Sequence, residues 1–303
     1  MGPKLLRTPA MLAALALALI LPPFAEGQEA SPGAVTLAYR FTPEDVTRYR
    51  ITQKLTGTRT FTGATEAAPI DAELNSTMRV RCVRSVGDGS AEVAFGTESG
   101  ELRIGGRPVP SYSPPKEIRT LSISPVGRIV GPERSEPSGQ VRRRPPMDFG
   151  SVESIVLMAI LPDKPVAVGD SWSAEIPLPV ESSSTLRLSF RLEAVRQTSG
   201  GRVAVIKQTI STPINRNASD DLAVPRGSQD GQAELLFSID GGKLLSAQGT
   251  IRSMLTTPAT IPAVPSGGAE PKPRETVSTL NLDSKFGVEL IEQAPRVNRS
   301  STD

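Results

Sequence analysis

The chain has 303 residues, a formal net charge of +2 and no histidine. Such a balanced charge argues against nucleic acid as a partner. Histidine is the usual acid or base near neutral pH and the commonest metal ligand, so its absence excludes most hydrolase triads and most metal centres. The single cysteine, Cys82, has no partner for an internal disulfide. We therefore expect no catalytic, cofactor-binding or metal-binding residues.

Residues 1–27 have the pattern of a secretory signal peptide. Lys4 and Arg7 precede an apolar run over residues 10–21, which prolines and then small residues follow. As a helix this run spans about 18 Å, well short of the roughly 30 Å hydrocarbon core, so we expect no membrane-spanning segment in the mature chain. No cysteine closely follows the run, so lipid attachment is not expected either. The sequence predicts an exported protein, periplasmic or extracellular, that is soluble after cleavage.

An alternation of apolar and polar residues dominates the mature chain. Its clearest case, over residues 185–195, predicts a half-buried antiparallel strand, and the Gly200-Gly201 turn with the β-branched stretch after it predicts a hairpin. Residues 78–86 and the glycine-containing turn that follows them predict an earlier hairpin of the same kind. The apolar residues on one face of the later strand are Leu186, Leu188, Phe190 and Leu192.

The order of these patterns repeats along the chain. An extended aromatic segment, a hairpin and a strand-turn-strand unit recur at an offset of roughly 110 to 120 residues, which indicates an internal duplication. Convergence is the alternative, because two-layer β proteins produce similar hairpins independently. We assign residues 34–140 to an N-terminal β half, 147–293 to a C-terminal half that begins with a helix, and 294–303 to a disordered tail.

One segment, residues 151–161, breaks the β pattern. Its apolar residues follow helical spacing, Ser151 is a candidate N-cap and Pro162 ends the segment. The predicted helix is apolar nearly all round, so we expect the sheet to bury it. The alternative is an exposed apolar surface for a partner.

The string LPDKPVAVGDSW, residues 161–172, is the most distinctive in the chain. Gly169 and Asp170 predict a turn, in which the Asp170 carboxylate accepts hydrogen bonds from nearby backbone N–H groups. Trp172 then begins a strand and is expected to anchor the core. A structural role therefore accounts for Gly169, Asp170 and Trp172.

At this string the chain resembles a set of exported bacterial proteins of unknown function, in which a PxxPVxVGDxW-like turn precedes long β-hairpins. The opening YRFTPEDVTRYRITQ is similar too, with its two aromatics Phe41 and Tyr49 around a short turn. The resemblance implies a fold and a compartment, and it brings no active site. The residues that carry the first motif are Pro162, Pro165, Val166, Val168, Gly169, Asp170 and Trp172.

These patterns predict a mainly β fold with one buried helix near 151–161. The strands are expected to form an antiparallel curved sheet, a half-barrel or a two-layer structure, and the helix to lie against its inner side. A trough between sheet and helix would then bind a hydrophobic or amphiphilic ligand, which predicts a noncatalytic envelope protein. The residues expected to line the trough are Ile155, Ile160, Leu186, Leu188, Phe190 and Leu192.

Two other functions fit the same sequence. A structural or adhesive envelope module would contact envelope proteins through its proline-rich loops. A carboxylate-based hydrolase would need Glu44, Asp170 and Asp220 to meet at a cleft, since no histidine is present.

Overall fold

In a computed structural model of the chain, the described residues are 33–110, 112, 119–130, 134–135, 159–177, 185–214, 226–261 and 274–293. They form twelve β-strands. In chain order these are β1 (Val46–Phe61), β2 (Ala68–Ser85), β3 (Ala91–Ile104), β4 (Arg107–Pro108), β5 (Arg119–Ile123), β6 (Arg134–Ser135), β7 (Ser171–Pro177), β8 (Thr185–Thr198), β9 (Gly201–Ile214), β10 (Arg226–Ser238), β11 (Lys243–Ile261) and β12 (Arg274–Gln293).

All these strands belong to one open antiparallel sheet, in the order β6-β5-β3-β2-β1-β12-β11-β10-β9-β8-β7, with β4 paired to β3 alone. The first and last strands, β1 and β12, pair at its centre. The predicted mainly β, antiparallel architecture is therefore confirmed. Both predicted hairpins are present, as β2 with β3 and β8 with β9.

The alternation of residue types gives the sheet one apolar face, which we call the inner face. Residues directly opposite each other on neighbouring strands point to the same side, so the register carries this face from strand to strand. One such row, in sheet order, comprises Leu192, Ile206, Leu235, Ala247, Val288 and Ile51. All six are buried.

The sheet is strongly curled. Trp172 Nε1 on β7 donates to Ile160 O at 2.8 Å, while the next residue, Leu161, donates its N–H to Val126 O at 2.9 Å, just beyond β5. Nine inter-strand spacings separate β7 from β5 in the sheet order, which in a flat sheet would be about 43 Å. Adjacent residues can contact both sides only because the sheet curls around its inner face.

Two segments, residues 33–42 and 159–168, cross the inner face at one end, and we call them the plug segments. Val35 and Val166 pair through hydrogen bonds of 2.8 and 3.0 Å. The N–H of Tyr39 donates to Pro125 O at 2.6 Å, and its ring packs edge-on against Phe237 of β10 at 5.2 Å. The main hydrophobic core lies between these segments and the sheet.

The predicted helix is not seen in the described residues. Residues 159–161 are not helical; they belong to a plug segment and are buried against the sheet. Their backbone groups bond instead to the turn after β5 and to Trp172. Residues 151–158, including Ile155, lie outside the described residues.

The predicted division into halves, and the duplication, remain predictions. The boundary between residues 140 and 147, the signal peptide at 1–27 and the tail at 294–303 all lie outside the described residues. Within the part of the chain that is described, there is no helix with the length and apolar character needed to cross a membrane.

Two tyrosines, the half-buried Tyr39 and the buried Tyr49, fasten the plug end of the sheet. Tyr39 donates its hydroxyl hydrogen to Ala159 O at 3.0 Å, and Tyr49 donates to Leu244 O at 3.2 Å. Burial raises the pKa of both hydroxyls well above the ordinary tyrosine value. Each therefore stays protonated in the folded protein when free tyrosine would ionise.

We expect the substitution Tyr49→Phe to reduce the loss of stability at alkaline pH. A raised folded pKa means that this stabilisation is complete below the unfolded value of about 10 and is lost as pH rises above it. Each such tyrosine contributes a slope of about 1.4 kcal/mol per pH unit. Denaturant unfolding between pH 9 and 11 measures the slope, and an unchanged slope in the variant would contradict the assignment.

Gly57 is a position where the absence of a side chain allows two strands to approach closely. Gly57 on β1 has a φ of +155°, and a Cβ there would overlap the carbonyl oxygen of Asn281 on β12. We expect Gly57→Ala to lower the free energy of unfolding by about 3 kcal/mol, measured by chemical denaturation. Gly87, which has open space around its Cα, is the matched control, and Gly87→Ala should change stability by less than about 1 kcal/mol.

Candidate functional site

The inner face changes character away from the plug segments. At the plug end its inward residues are large, apolar and buried, whereas towards the other end small, polar and half-buried aliphatic residues alternate. We call this second region the distal inner face. Its residues are Gly57 and Arg59 on β1, Ile70 on β2, Leu280 and Leu282 on β12, Ser253 and Leu255 on β11, Gln229 on β10 and Thr212 on β9.

The register places these residues in two adjacent rows. Leu255 lies opposite Leu280, and Leu280 lies opposite Arg59. One row closer to the plug, Ser253 pairs with Leu282 and Leu282 with Gly57. The leucines are only half-buried, unlike the core leucines of β8. The distal inner face thus keeps aliphatic surface available for contact.

Polar atoms without partners lie on the same face. Thr212 is 1% exposed, yet its Oγ1 makes no hydrogen bond. Gln53 donates from Nε2 to Ser284 Oγ at 3.3 Å, while its buried Oε1 accepts nothing. Leaving a buried polar group unsatisfied costs about 1–3 kcal/mol. Most buried polar atoms in proteins are paired, so these two atoms are exceptions on the inner face.

Charge is segregated between the two faces. No inward position on the described parts of β1, β2 and β8 to β12 is Asp or Glu, as the pairing registers show. Outward carboxylates lie beside arginines, as in the pair Arg252 and Asp283 at 3.0 Å. The distal inner face therefore offers no carboxylate pair of the kind a glycosidase uses.

The predicted trough residues lie in the main core rather than on the distal inner face. Leu186, Leu188, Phe190 and Leu192 follow one another on β8 and are 0–8% exposed, and Ile160 is 5% exposed in a plug segment. Trp172 stacks on Phe190 with ring centroids 5.5 Å apart. These side chains fill space between the sheet and the plug segments.

Sequence reasoning missed the distal inner face. Leu280 and Leu282 alternate with Asn281 and Asp283, which is a visible strand signal in ETVSTLNLD. Which side of β12 faces inward could be recognised only once β12 was known to lie between β1 and β11.

The turn with Gly169 and Asp170 supports the sheet. Gly169 has a φ of +97°, and the Asp170 carboxylate accepts a hydrogen bond from Ala167 N–H at 2.8 Å. Leu192 of β8 accepts from Gly169 and donates to Asp170. Glu44 lies in a different turn, bonded to Cys82 of β2, and Asp220 lies outside the described residues.

A small cavity of about 80 Å³ lies where a plug segment crosses β1 to β3, and Tyr39, Tyr49, Cys82 and Lys243 help to line it. Burial raises the pKa of the Cys82 thiol, and the nearby Asp45 carboxylate adds to the effect. The thiol therefore stays in its unreactive protonated form. Ligand sites are usually 300–1,000 Å³. This cavity is too small for a lipid chain.

Comparison with protein-family models and with curated proteins finds no match. Among solved structures the chain is similar to lipovitellin, in a structure described as "Lipid-protein interactions in lipovitellin". The identity is 12%, the TM-score is 0.43, and the match covers 86% of this chain and 27% of that one. This chain thus spans about a quarter of that protein's length. A likeness of this size carries no functional argument.

Proposed function

We propose that this is an exported, noncatalytic envelope protein that binds a hydrophobic or amphiphilic ligand on its distal inner face. The observation that carries the proposal is the combination of aliphatic and polar groups on this face. Half-buried leucines lie beside unpaired polar atoms, on the inner side of a curled sheet and without carboxylates. The alkyl part of a hydrophobic or an amphiphilic ligand would cover the leucines.

The dimensions of the face suit an alkyl chain. Across the sheet, the distal inner face runs from Thr212 on β9 to Ile70 on β2, which is five inter-strand spacings or about 24 Å along the sheet. One acyl chain crosses half of a roughly 30 Å hydrocarbon core, so it fits within this length. Burying ten methylene groups contributes about 8 kcal/mol before the cost of association.

Two features support a noncatalytic role and export. The chain has no histidine, and its cysteine thiol is held protonated by burial. Residues 1–27 have the charge and apolar pattern of a cleaved export signal. A binding protein needs neither a nucleophile nor a general base, and outside the cytoplasm the ligands available to it include envelope lipids.

A polar substitution on the distal inner face should weaken ligand binding. We expect Leu255→Gln to reduce the affinity for N-phenyl-1-naphthylamine, an uncharged apolar fluorescent probe, by about three- to tenfold, since it removes roughly 1 kcal/mol of apolar contact. Fluorescence titration of the purified protein measures the affinity.

The adjacent residue provides the matched control. Met254 is 60% exposed and points to the outer face of β11, so Met254→Gln should leave probe affinity unchanged. Unfolding midpoints of both variants identify any loss of folding. A wild-type protein that does not bind the probe, or equal weakening by the two variants, would contradict the proposal.

A further inference from the structure

Arg59 lies among aliphatic neighbours on the distal inner face. In the β1 register it is opposite Leu280 on one side and Ala68 on the other. Residues two positions away on those strands, Leu282 and Ile70, share its face. A guanidinium in such surroundings would ordinarily be matched by a nearby carboxylate.

Arg59 has no such match among the described residues. Its Nε atom is buried without a hydrogen-bond partner, and no ion pair to a described carboxylate is formed. Arg50, on the outer face of the same strand, shows the usual arrangement, with its NH1 atom 3.0 Å from Glu289 Oε2. The inward positions of the described neighbouring strands supply no acid, so a bound anion would be the first carboxylate or phosphate beside Arg59 among the described residues.

Phe61 holds the guanidinium in place. Its ring centroid lies 4.5 Å from Arg59 Cζ, a cation–π contact between inward residues two positions apart on β1. Such a contact orients a planar guanidinium and leaves its N–H groups able to form a bidentate pair with a carboxylate or phosphate.

We infer that the ligand is an amphiphile with an anionic head group, carboxylate or phosphate, which binds Arg59 while its alkyl chain lies on Leu255, Leu280 and Leu282. The inference rests on the proposed function and specifies its ligand class. The head group supplies the anion that the sheet lacks, and the chain covers the half-buried leucines. One molecule can contact both the Arg59 guanidinium and the leucines, because Arg59 and Leu280 are direct cross-strand neighbours.

Two probes that differ only in head-group charge test the inference. Cis-parinaric acid and its methyl ester carry the same fluorescent chain, and at pH 7.5 only the acid is anionic. We expect the wild-type protein to bind the acid about tenfold more tightly than the ester. Arg59→Gln should remove this preference while leaving ester affinity unchanged, and Arg59→Lys should retain part of it.

Arg50→Gln is the matched control, because it removes an arginine from the outer face of the same strand. It should leave the affinities for both probes unchanged. Equal binding of acid and ester by the wild type, or equal weakening of both by Arg59→Gln, would overturn the anionic head group. Binding of N-phenyl-1-naphthylamine would then still support the proposed function, whereas failure of all three probes to bind would overturn both.

Discussion

The curl of the sheet depends on the bonds that the plug segments make to both of its sides. Ile160 accepts the indole hydrogen of Trp172, and Leu161 bonds to the turn beyond β5, so one short stretch of chain ties distant strands together. The sheet can therefore stay curled although its edge strands, β6 and β7, do not pair with each other. Without the tie the inner face would open to water and lose its main core, because no second sheet covers that core among the described strands.

This arrangement divides the inner face into two regions that differ in packing. At the plug end, large side chains and two tyrosine hydroxyls fill and fasten the core. At the distal end, glycine and serine replace large residues, leucines are half-buried and polar atoms are unpaired. A continuous apolar core along the whole face would be more stable but would leave no surface for a ligand. The distal residues give up packing at the place where the proposed ligand binds.

Local patterns in the sequence were sufficient to predict individual strands and hairpins. They were insufficient to predict how distant strands pair in the sheet. Period-two alternation identified β8 and its hairpin because that signal depends only on neighbouring residues. Pairing between Tyr49 and Leu290 joins opposite ends of the chain, and no local pattern specifies it. A second limit concerns apolar runs, because a short run that is buried on all sides can show similar spacing whether it is helical or extended. Residues 159–161, the described end of the predicted helix, are buried and not helical.

The unpaired atoms and the proposed ligand have opposite effects on stability. Thr212 Oγ1, Gln53 Oε1 and Arg59 Nε each lack a partner, and each destabilises the unliganded fold by the cost of leaving a buried polar group unsatisfied. The proposed ligand would stabilise the folded state if it binds that state alone, by about 2.7 kcal/mol at one hundred times its Kd. The plug segments hold the curl through hydrogen bonds within the chain, so binding energy need not be spent on folding the sheet.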